Sequence, residues 1–255
     1  LSHDYYLMDH VIDGSPLVPG VFGMELMAEA ANFLFPDLVV TTLKEVFFKT
    51  PIKCHDDVPS MVEVEAISVN TSGAGKTLHV TVKELIPKSS GGFHLSRDPS
   101  YECDIVLGES RAVKKYLEDQ KETGLTVEIQ TSKILELCAS EGYHFGQIMT
   151  GQSDTMSFSQ GTAVSRFTLS DSRALSYPSP CEFITCPQAF DVGLQCQLRR
   201  SILQDDQRQL PYHIPFVKLY DWSKNPGLLS VRVRHLSVDQ QGKQTYFSVH
   251  VLEED

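Results

Sequence analysis

Two apolar stretches long enough to form buried helices lie one in each half of the chain. Val21–Phe35 is apolar almost all round, and its acidic residues Glu25 and Glu29 fall one turn apart on a single face. A helix of this kind is usually wrapped by other structure, and Pro36 predicts where it ends. The second stretch, Gln188–Leu203, carries apolar residues at helical spacing at Phe190, Leu194, Leu198 and Ile202.

Each predicted helix is accompanied by segments with the alternation or β-branched composition of strands. Turn sequences rich in glycine, proline, serine and aspartate separate these segments, and the short connections favour antiparallel pairing. A short helix over Thr131–Ser140 opens the second set. The predicted strands are Thr42–Pro51, Met61–Asn70, Thr77–Leu85, Tyr101–Leu107 and residues 153–158, 162–169, 215–221, 228–236 and 244–251. The pattern predicts an α+β protein.

The two sets of elements suggest two similar halves, although no exact sequence repeat connects them. Residues 114–124 are charged and poorly periodic, which is typical of a linker. We therefore divide the chain into an N-terminal half (residues 1–118), a linker (119–130) and a C-terminal half (131–255), which together make one domain.

Composition narrows the function classes. The 255 residues are 41% hydrophobic and 22% charged, as in ordinary globular proteins, and their formal net charge is −11. This acidity argues against nucleic acid or an anionic membrane as a partner, although Arg199 and Arg200 predict a small basic patch.

No signal peptide or apolar run of transmembrane length is present. The six cysteines lack disulfide or zinc spacing, so we expect reduced thiols in a cytoplasmic protein, excised from a longer chain.

The strongest candidate for chemistry in the N-terminal half is His10. It lies on a predicted loop shaped by Gly14, Pro19 and Gly20, immediately before the first long helix. Imidazole titrates near neutral pH, so a histidine held there suits a proton-accepting base. The alternative is a surface turn whose histidine has no chemical role.

In the C-terminal half the candidate is Asp191, four residues before Gln195 and therefore on the same face of the second helix. A carboxyl group beside an apolar stripe is partly desolvated, which raises its pKa and makes it a plausible proton donor. The alternative is a solvated aspartate that bonds locally to Gln195.

Taken together, these motifs resemble those of polyketide synthase dehydratase domains. His10, Gly14 and Pro19 match the motif H-x-x-x-G-x-x-x-x-P, and Asp191 with Gln195 matches D-x-x-x-Q/H. The dipeptide Leu210–Pro211 before a strand is similar to a further segment of that family, and the three motifs occur in the same order across nearly the whole chain. The form of the first motif is closest to iterative systems such as polyunsaturated-fatty-acid synthases.

The resemblance implies a double hot-dog fold, in which each half wraps an antiparallel sheet around one of the long helices. It also implies dehydration of a 3-hydroxyacyl thioester to a 2-enoyl thioester. The substrate would be carried on the phosphopantetheine of an acyl carrier protein, beside neighbouring synthase domains or in a homodimer. His10 would be the base and Asp191 the acid, with Gln195 orienting the acid. This chemistry requires no metal or organic cofactor.

The sequence departs from the family at its Y-G-P-x-F segment, which here reads Phe145-Gly146-Gln147. Tyr143 or His144 could take over the contact with the substrate hydroxyl. A backbone N–H near Gly14 or within 18–20 would stabilise charge on the thioester oxygen.

Two other functions stay open on the sequence. The chain could be a silent hot-dog pair that binds acyl groups or acts as a scaffold, or an isomerase or cyclase that uses the same histidine and aspartate. Retention of both residues argues against the scaffold, whereas dehydration and isomerisation both begin with proton transfer at C2.

Overall fold

The computed structural model of the chain describes twelve ranges: residues 5–54, 60–70, 75–112, 127–146, 149, 153, 155–159, 162–168, 183–205, 210–221, 228–238 and 245–254. The predicted linker core at 114–124 and Gln147 lie outside the described residues. The helices are α1 (Gly20–Leu34), α2 (Thr131–Ser140) and α3 (Pro187–Arg200), with a 3-10 helix at Tyr5–Asp9 and a π-helical turn at Ser201–Asp205. The strands are β1 (His10–Ile12), β2 (Ser15–Pro16), β3 (Val39–Phe48), β4 (Met61–Asn70), β5 (Lys76–Pro87), β6 (Phe93–Leu95), β7 (Tyr101–Gly108), β8 (Val127–Gln130), β9 (Tyr143–Phe145), β10 (Thr155–Ser159), β11 (Thr162–Thr168), β12 (His213–Lys218), β13 (Leu228–Val238) and β14 (Thr245–Glu254).

Two large antiparallel sheets each pack around one long helix. The N-terminal sheet has the order β12-β3-β7-β5-β4, with β6 paired to β5, and α1 packs against it. The C-terminal sheet has the order β14-β13-β11-β10-β8 and packs against α3. This is the double hot-dog arrangement, and it confirms the predicted fold class.

Both helices lie in the cores of their halves because their apolar residues face the sheets. In α1, Met24, Met27, Ala28 and Ala31 are fully buried in the N-terminal core. In α3, Val192, Cys196 and Leu198 are buried in the C-terminal core. The first helix was predicted to within one residue at each end. The second begins one residue earlier than predicted and ends at Arg200, where the chain continues as the π-helical turn.

The halves exchange strands, which corrects the predicted boundaries. The segment predicted at 215–221 was assigned to the C-terminal half, but β12 pairs with β3 at the edge of the N-terminal sheet. Its Val217 and the following Leu219 join the N-terminal core, so burial stabilises this crossing. The last four residues of the predicted linker are also structured, since they form β8, which pairs with β10.

A third, small sheet connects the halves directly. The predicted loop at 10–20 contains a hairpin of β1 and β2, and β1 pairs on its other side with β9 of the C-terminal half. The hairpin turns at Asp13 and Gly14, whose φ angles of 48° and 74° fit a two-residue turn of type I′. Gly14 therefore has a conformational role at the tip of the hairpin.

The five described cysteines form no disulfide with one another. Among the described residues, no helix is long and apolar enough to cross a membrane.

The contact between α1 and its sheet depends on a glycine. A Cβ atom at Gly23 would overlap the ring of Tyr101, which is buried and donates a hydrogen bond of 3.1 Å to the carbonyl of Val18. Gly23 therefore lets the helix approach the sheet closely while the Tyr101 hydroxyl fixes the chain just before that helix.

We predict that Gly23→Ala destabilises the fold by up to about 2 kcal/mol, because overpacking costs about 1–3 kcal/mol and the better helix propensity of alanine offsets only about 1 kcal/mol of that. Urea denaturation measures the change. Glu29→Ala on the exposed side of the same helix is the control, and it should stay within about 0.5 kcal/mol of the wild type. Wild-type stability of Gly23→Ala would show that the close approach is not needed.

Candidate active site

The position of His10 is set by the small sheet that joins the halves. Its backbone carbonyl accepts the N–H of Leu17 at 3.1 Å, and its Nδ1 lies 3.3 Å from the carbonyl oxygen of Leu17. Because a carbonyl oxygen only accepts, Nδ1 carries the hydrogen of the neutral ring. The lone pair of that ring is therefore on Nε2, which leaves Nε2 as the atom that can take a proton.

On the other side of His10 lies Phe145 of β9. The two residues are directly paired in the sheet, and their ring centroids are 5.7 Å apart. Phe145 in turn stacks on Tyr143, at 6.2 Å between ring centroids. His10, the candidate base, thus comes from the N-terminal half, whereas the C-terminal half supplies Phe145 beside it.

The segment Phe145–Gly146 holds the residue before His10 as well. The N–H of Gly146 donates to the carbonyl of Asp9 at 2.9 Å, and a Cβ on Gly146 would overlap the Asp9 carboxylate. A side chain at position 146 would therefore displace the Asp9 carboxylate from its present position, and the glycine is kept although the residues around it differ from the family pattern.

The structure separates the two residues predicted to contact a substrate hydroxyl. Tyr143 is on the same strand face as Phe145 and is buried in the C-terminal core. His144 is paired with Val11 and lies on the opposite face of β9 from the neighbours of His10. It is exposed beside a groove of about 500 Å³ formed with α2, so of the two residues Tyr143 is the one on the same strand face as Phe145.

The segment between His10 and α1 contains the backbone N–H groups predicted to stabilise charge on the thioester oxygen. The N–H of Val18 donates to the carbonyl of Ile52 at 3.0 Å, and Pro19, which is buried, has no N–H. Gly20 begins α1 beside the ring of Phe48, and no acceptor for its N–H lies within the described part of the chain. Of the predicted donors in 18–20, Gly20 is thus the one with an available N–H.

The candidate acid, Asp191, lies on α3, in a row of polar side chains that faces the protein interior. Asp191, Gln195 and Arg199 follow one another at four-residue spacing, and all are at most 5% exposed. Gln195 Nε2 donates to Asp191 Oδ2 at 2.5 Å and to the Met149 carbonyl at 3.3 Å. Arg199 Nη2 donates to Gln195 Oε1 at 2.8 Å. Asp191 is therefore not a solvated helical aspartate.

Burial raises the pKa of Asp191 above its ordinary value, and this effect exceeds the opposing ones. The charge of His10, the hydrogen bond from Gln195 and the charge of Arg199 each favour the ionised carboxylate and lower that pKa in part. His10 is therefore close enough to Asp191 to act on its ionisation. In this site Asp191 keeps its proton to a higher pH than an exposed aspartate does.

The start of α3 is held by the N-terminal half. Glu25 of α1 is 2% exposed, and its carboxylate accepts the N–H of Ile184 at 2.6 Å, the N–H of Thr185 at 2.7 Å and the Thr185 hydroxyl at 2.5 Å. Arg111 donates to the carbonyls of Ile184 and Val40 at 2.8 and 2.9 Å. The sequence indicated only that Glu25 shares one helical face with Glu29, whereas in the structure Glu25 binds the segment that leads into α3.

An apolar cluster adjoins these groups. Val21 of α1 and Met149, whose carbonyl binds Gln195, are buried together, and aromatic and aliphatic residues from both halves pack against them. The packing residues are Tyr6, Phe22, Phe183, Phe190 and Leu194. Phe190 and Leu194 therefore face the junction of the halves, while Leu198 and Ile202 of the same predicted stripe lie in the C-terminal core.

Several of these groups do not lie where the sequence predicts them, or carry no signal in the sequence. Arg199 and Arg200 are buried, at 1% and 4% exposure, so the predicted basic patch does not exist at the surface. The spacing 191, 195, 199 was the available signal for Arg199. Nothing in the sequence indicated that Phe145 would pack on His10, because that contact depends on pairing between distant strands. No group of three metal-binding side chains occurs in the described ranges.

Comparison with known proteins agrees with this geometry. Residues 1–83 match the sequence profile described as polyketide synthase dehydratase domain. A trans-AT polyketide synthase dehydratase domain from Brevibacillus brevis superposes with a TM-score of 0.78 at 17% identity, covering 98% of this chain and 85% of that one. This chain resembles the polyketide synthase dehydratase domains in sequence over its first third and in fold throughout.

Further dehydratase domains share the fold. The dehydratase domain of RzxB from Pseudomonas fluorescens has a TM-score of 0.71 at 12% identity, with 98% and 85% of the two chains covered. The CurJ dehydratase, crystallised as an inactive mutant with a histidine replaced by phenylalanine, has a TM-score of 0.68 at 15% identity, with 98% and 81% covered. No curated protein sequence matches the chain.

We predict that Asp191→Asn stabilises the domain increasingly as the pH rises. The folded-state pKa of Asp191 is raised above that of the unfolded chain, so the wild type loses stability from about pH 4 upward, until the pH passes the folded pKa. Asparagine does not ionise and removes this loss. Urea denaturation from pH 4 to pH 8 measures it, with exposed Asp37→Asn as the control. A stability difference that does not change with pH would contradict the raised pKa.

Proposed function

We propose that this domain dehydrates a 3-hydroxyacyl thioester to a 2-enoyl thioester. The observation that supports the proposal is the electrostatic effect of His10, whose Nε2 lone pair is available, on Asp191, whose pKa is raised, near an apolar cluster at the junction of the halves. Elimination of water from such a substrate requires one group that accepts a proton and one that donates it.

In the proposed reaction, Nε2 of His10 takes the proton from C2 of the substrate. The electron pair of that C–H bond forms the C2–C3 double bond, and the C3–O bond breaks. Asp191 gives its proton to the leaving oxygen, which departs as water. Gln195 orients the Asp191 carboxyl group, and the N–H of Gly20 is the proposed donor to the thioester oxygen while negative charge develops there.

The comparisons support this reaction class. The sequence profile and the related structures are those of polyketide synthase dehydratases, and the CurJ dehydratase with a histidine replaced is described as inactive. We further propose that the substrate arrives on the phosphopantetheine of an acyl carrier protein, within a synthase with neighbouring domains. Neither reacting group requires a metal or organic cofactor. Membership of an iterative synthase and a homodimeric state stay predictions.

We predict that His10→Ala and Asp191→Asn each lower turnover of a 3-hydroxyacyl-pantetheine thioester by on the order of a hundredfold to ten-thousandfold. The double variant should lose little more, because either loss disables the pair. Mass spectrometry of the thioester measures the loss of water. His94→Ala and Asp37→Asn change an exposed histidine and an exposed aspartate and should retain wild-type turnover.

The variants also test the alternative functions. A wild-type protein that binds the thioester without releasing water would favour an acyl-binding scaffold. Turnover that survives Asp191→Asn but not His10→Ala would favour isomerisation with a single base. Near-normal dehydration by His10→Ala would remove the proposed mechanism.

The pH dependence follows from the direction of the Asp191 pKa. Because the acid form is required and its pKa is raised, turnover should fall only above the pH at which an ordinary aspartate ionises. Rates measured from pH 4 to pH 10 test this expectation. A rate that already falls as the pH rises above about 4 would show that ionised Asp191 does not support the reaction and that its pKa is not raised.

A further inference from the structure

We propose that Arg199 is a positioning residue that decides which oxygen of Asp191 carries the transferable proton. The inference rests on the proposed function and extends it from the acid to the side chains behind it. Its basis is the row of three buried side chains on α3, in which Arg199 binds Gln195 and Gln195 binds Asp191.

The direction of the hydrogen bonds follows from what each group can do. A guanidinium group only donates, so the atom of Gln195 that faces Arg199 must be the carbonyl oxygen Oε1. The amide nitrogen then faces Asp191 and the carbonyl of Met149, and its two hydrogens are both used. An amide nitrogen cannot accept, so Asp191 Oδ2 accepts from Gln195.

This direction determines the position of the acid proton. Oδ2 already accepts a hydrogen, and a proton placed on it would face the N–H of Gln195. In the protonated carboxyl group the hydrogen is therefore on Oδ1, the oxygen that Gln195 does not bind. If the amide were reversed, its carbonyl would accept that proton and hold it away from the substrate.

Arg199 is suited to hold this direction because it cannot leave the interior. Its side chain is 1% exposed, and its Nε is buried without a hydrogen-bond partner among the described residues. Burial of a guanidinium group is unfavourable unless it gains interactions, and its bond to Gln195 is one that an apolar side chain could not make. The hydrogen bond that the same amide donates to the Met149 carbonyl is longer, at 3.3 Å, and uncharged at both ends.

Few other charges act on Asp191. His10 of β1 and Arg199 are the charged groups that affect its ionisation. The strands packed against α3 turn apolar side chains into the C-terminal core. These are Ala163 and Phe167 of β11, Leu229, Val231 and Val233 of β13, and Val249 and Val251 of β14. The charged residues Arg166, Arg232, Arg234 and His250 of these strands alternate with them and lie on the other strand faces. Glu25 of α1 binds the segment before the helix.

The first measurement is the pH titration of the Asp191 carboxyl carbon by NMR, and the Asp191→Asn variant assigns its signal. The second measurement is kcat and KM for each variant. Arg199→Met removes the donor and the charge at similar volume. We expect the Asp191 midpoint to move to higher pH and kcat to fall about tenfold, with KM little changed. Arg199→Lys keeps a donor and a charge and should lie close to the wild type in both measurements.

Arg200→Met is the matched control, since Arg200 is the next residue on α3, has the same side chain and is also buried. It should leave the Asp191 midpoint unchanged. An Arg199→Met protein with the wild-type midpoint, or with a shift no larger than that of Arg200→Met, would overturn the proposal. So would Arg199→Lys behaving like Arg199→Met.

If Arg199→Met does not fold, the variant Gln195→Glu changes the middle residue of the same three hydrogen-bonded side chains. It keeps a partner for Arg199 but replaces the donor that faces Asp191 Oδ2, so the Asp191 midpoint should rise, and an unchanged midpoint would overturn the proposal. The titration is independent of turnover. A wild-type protein without dehydratase activity would remove the proposed function, whereas the midpoints still decide the role of Arg199.

Discussion

The carboxylate of Glu25 joins the two halves at the point where the helix that bears Asp191 begins. It is buried in α1 and accepts three hydrogen bonds from two consecutive residues of the C-terminal half, Ile184 and Thr185. Burial raises the pKa of Glu25, while these bonds favour its ionised form. Charge-assisted bonds to backbone N–H groups are stronger than neutral ones, so this contact limits how far α3 can shift relative to α1.

The exchange of strands adds a second constraint of the same kind. The strand β1 carries His10 but pairs with β9 of the other half, and β12 returns from the C-terminal half to pair with β3. Backbone pairing is directional and sensitive to register, so each exchange fixes one half against the other. His10 consequently acts electrostatically on Asp191 although the two residues are 181 positions apart in the chain.

The buried polar side chains of α3 carry a cost in folding stability. Asp191, Gln195 and Arg199 are polar side chains in a place where apolar ones would pack without desolvation cost. Their mutual hydrogen bonds offset part of that cost, and the unpartnered Arg199 Nε shows that the compensation is incomplete among the described residues. A stability cost at buried ionisable groups is expected where their pKa values are adapted to proton transfer.

The sequence by itself determined the elements and the chemical groups. The spacing of apolar residues predicted α1 to within one residue and predicted the exact bounds of Met61–Asn70 and Thr131–Ser140. Burial of one face of a helix or strand produces a periodic pattern that can be read from neighbouring residues alone. The spacing of four residues likewise placed Asp191 and Gln195 on one helical face. Tertiary structure alone decided which sheet β12 joins, that His144 lies away from His10, and that Arg199 and Arg200 are buried. These features depend on pairing and packing between residues far apart in the chain, and a strand or a charged side chain has the same local pattern whichever partner it meets.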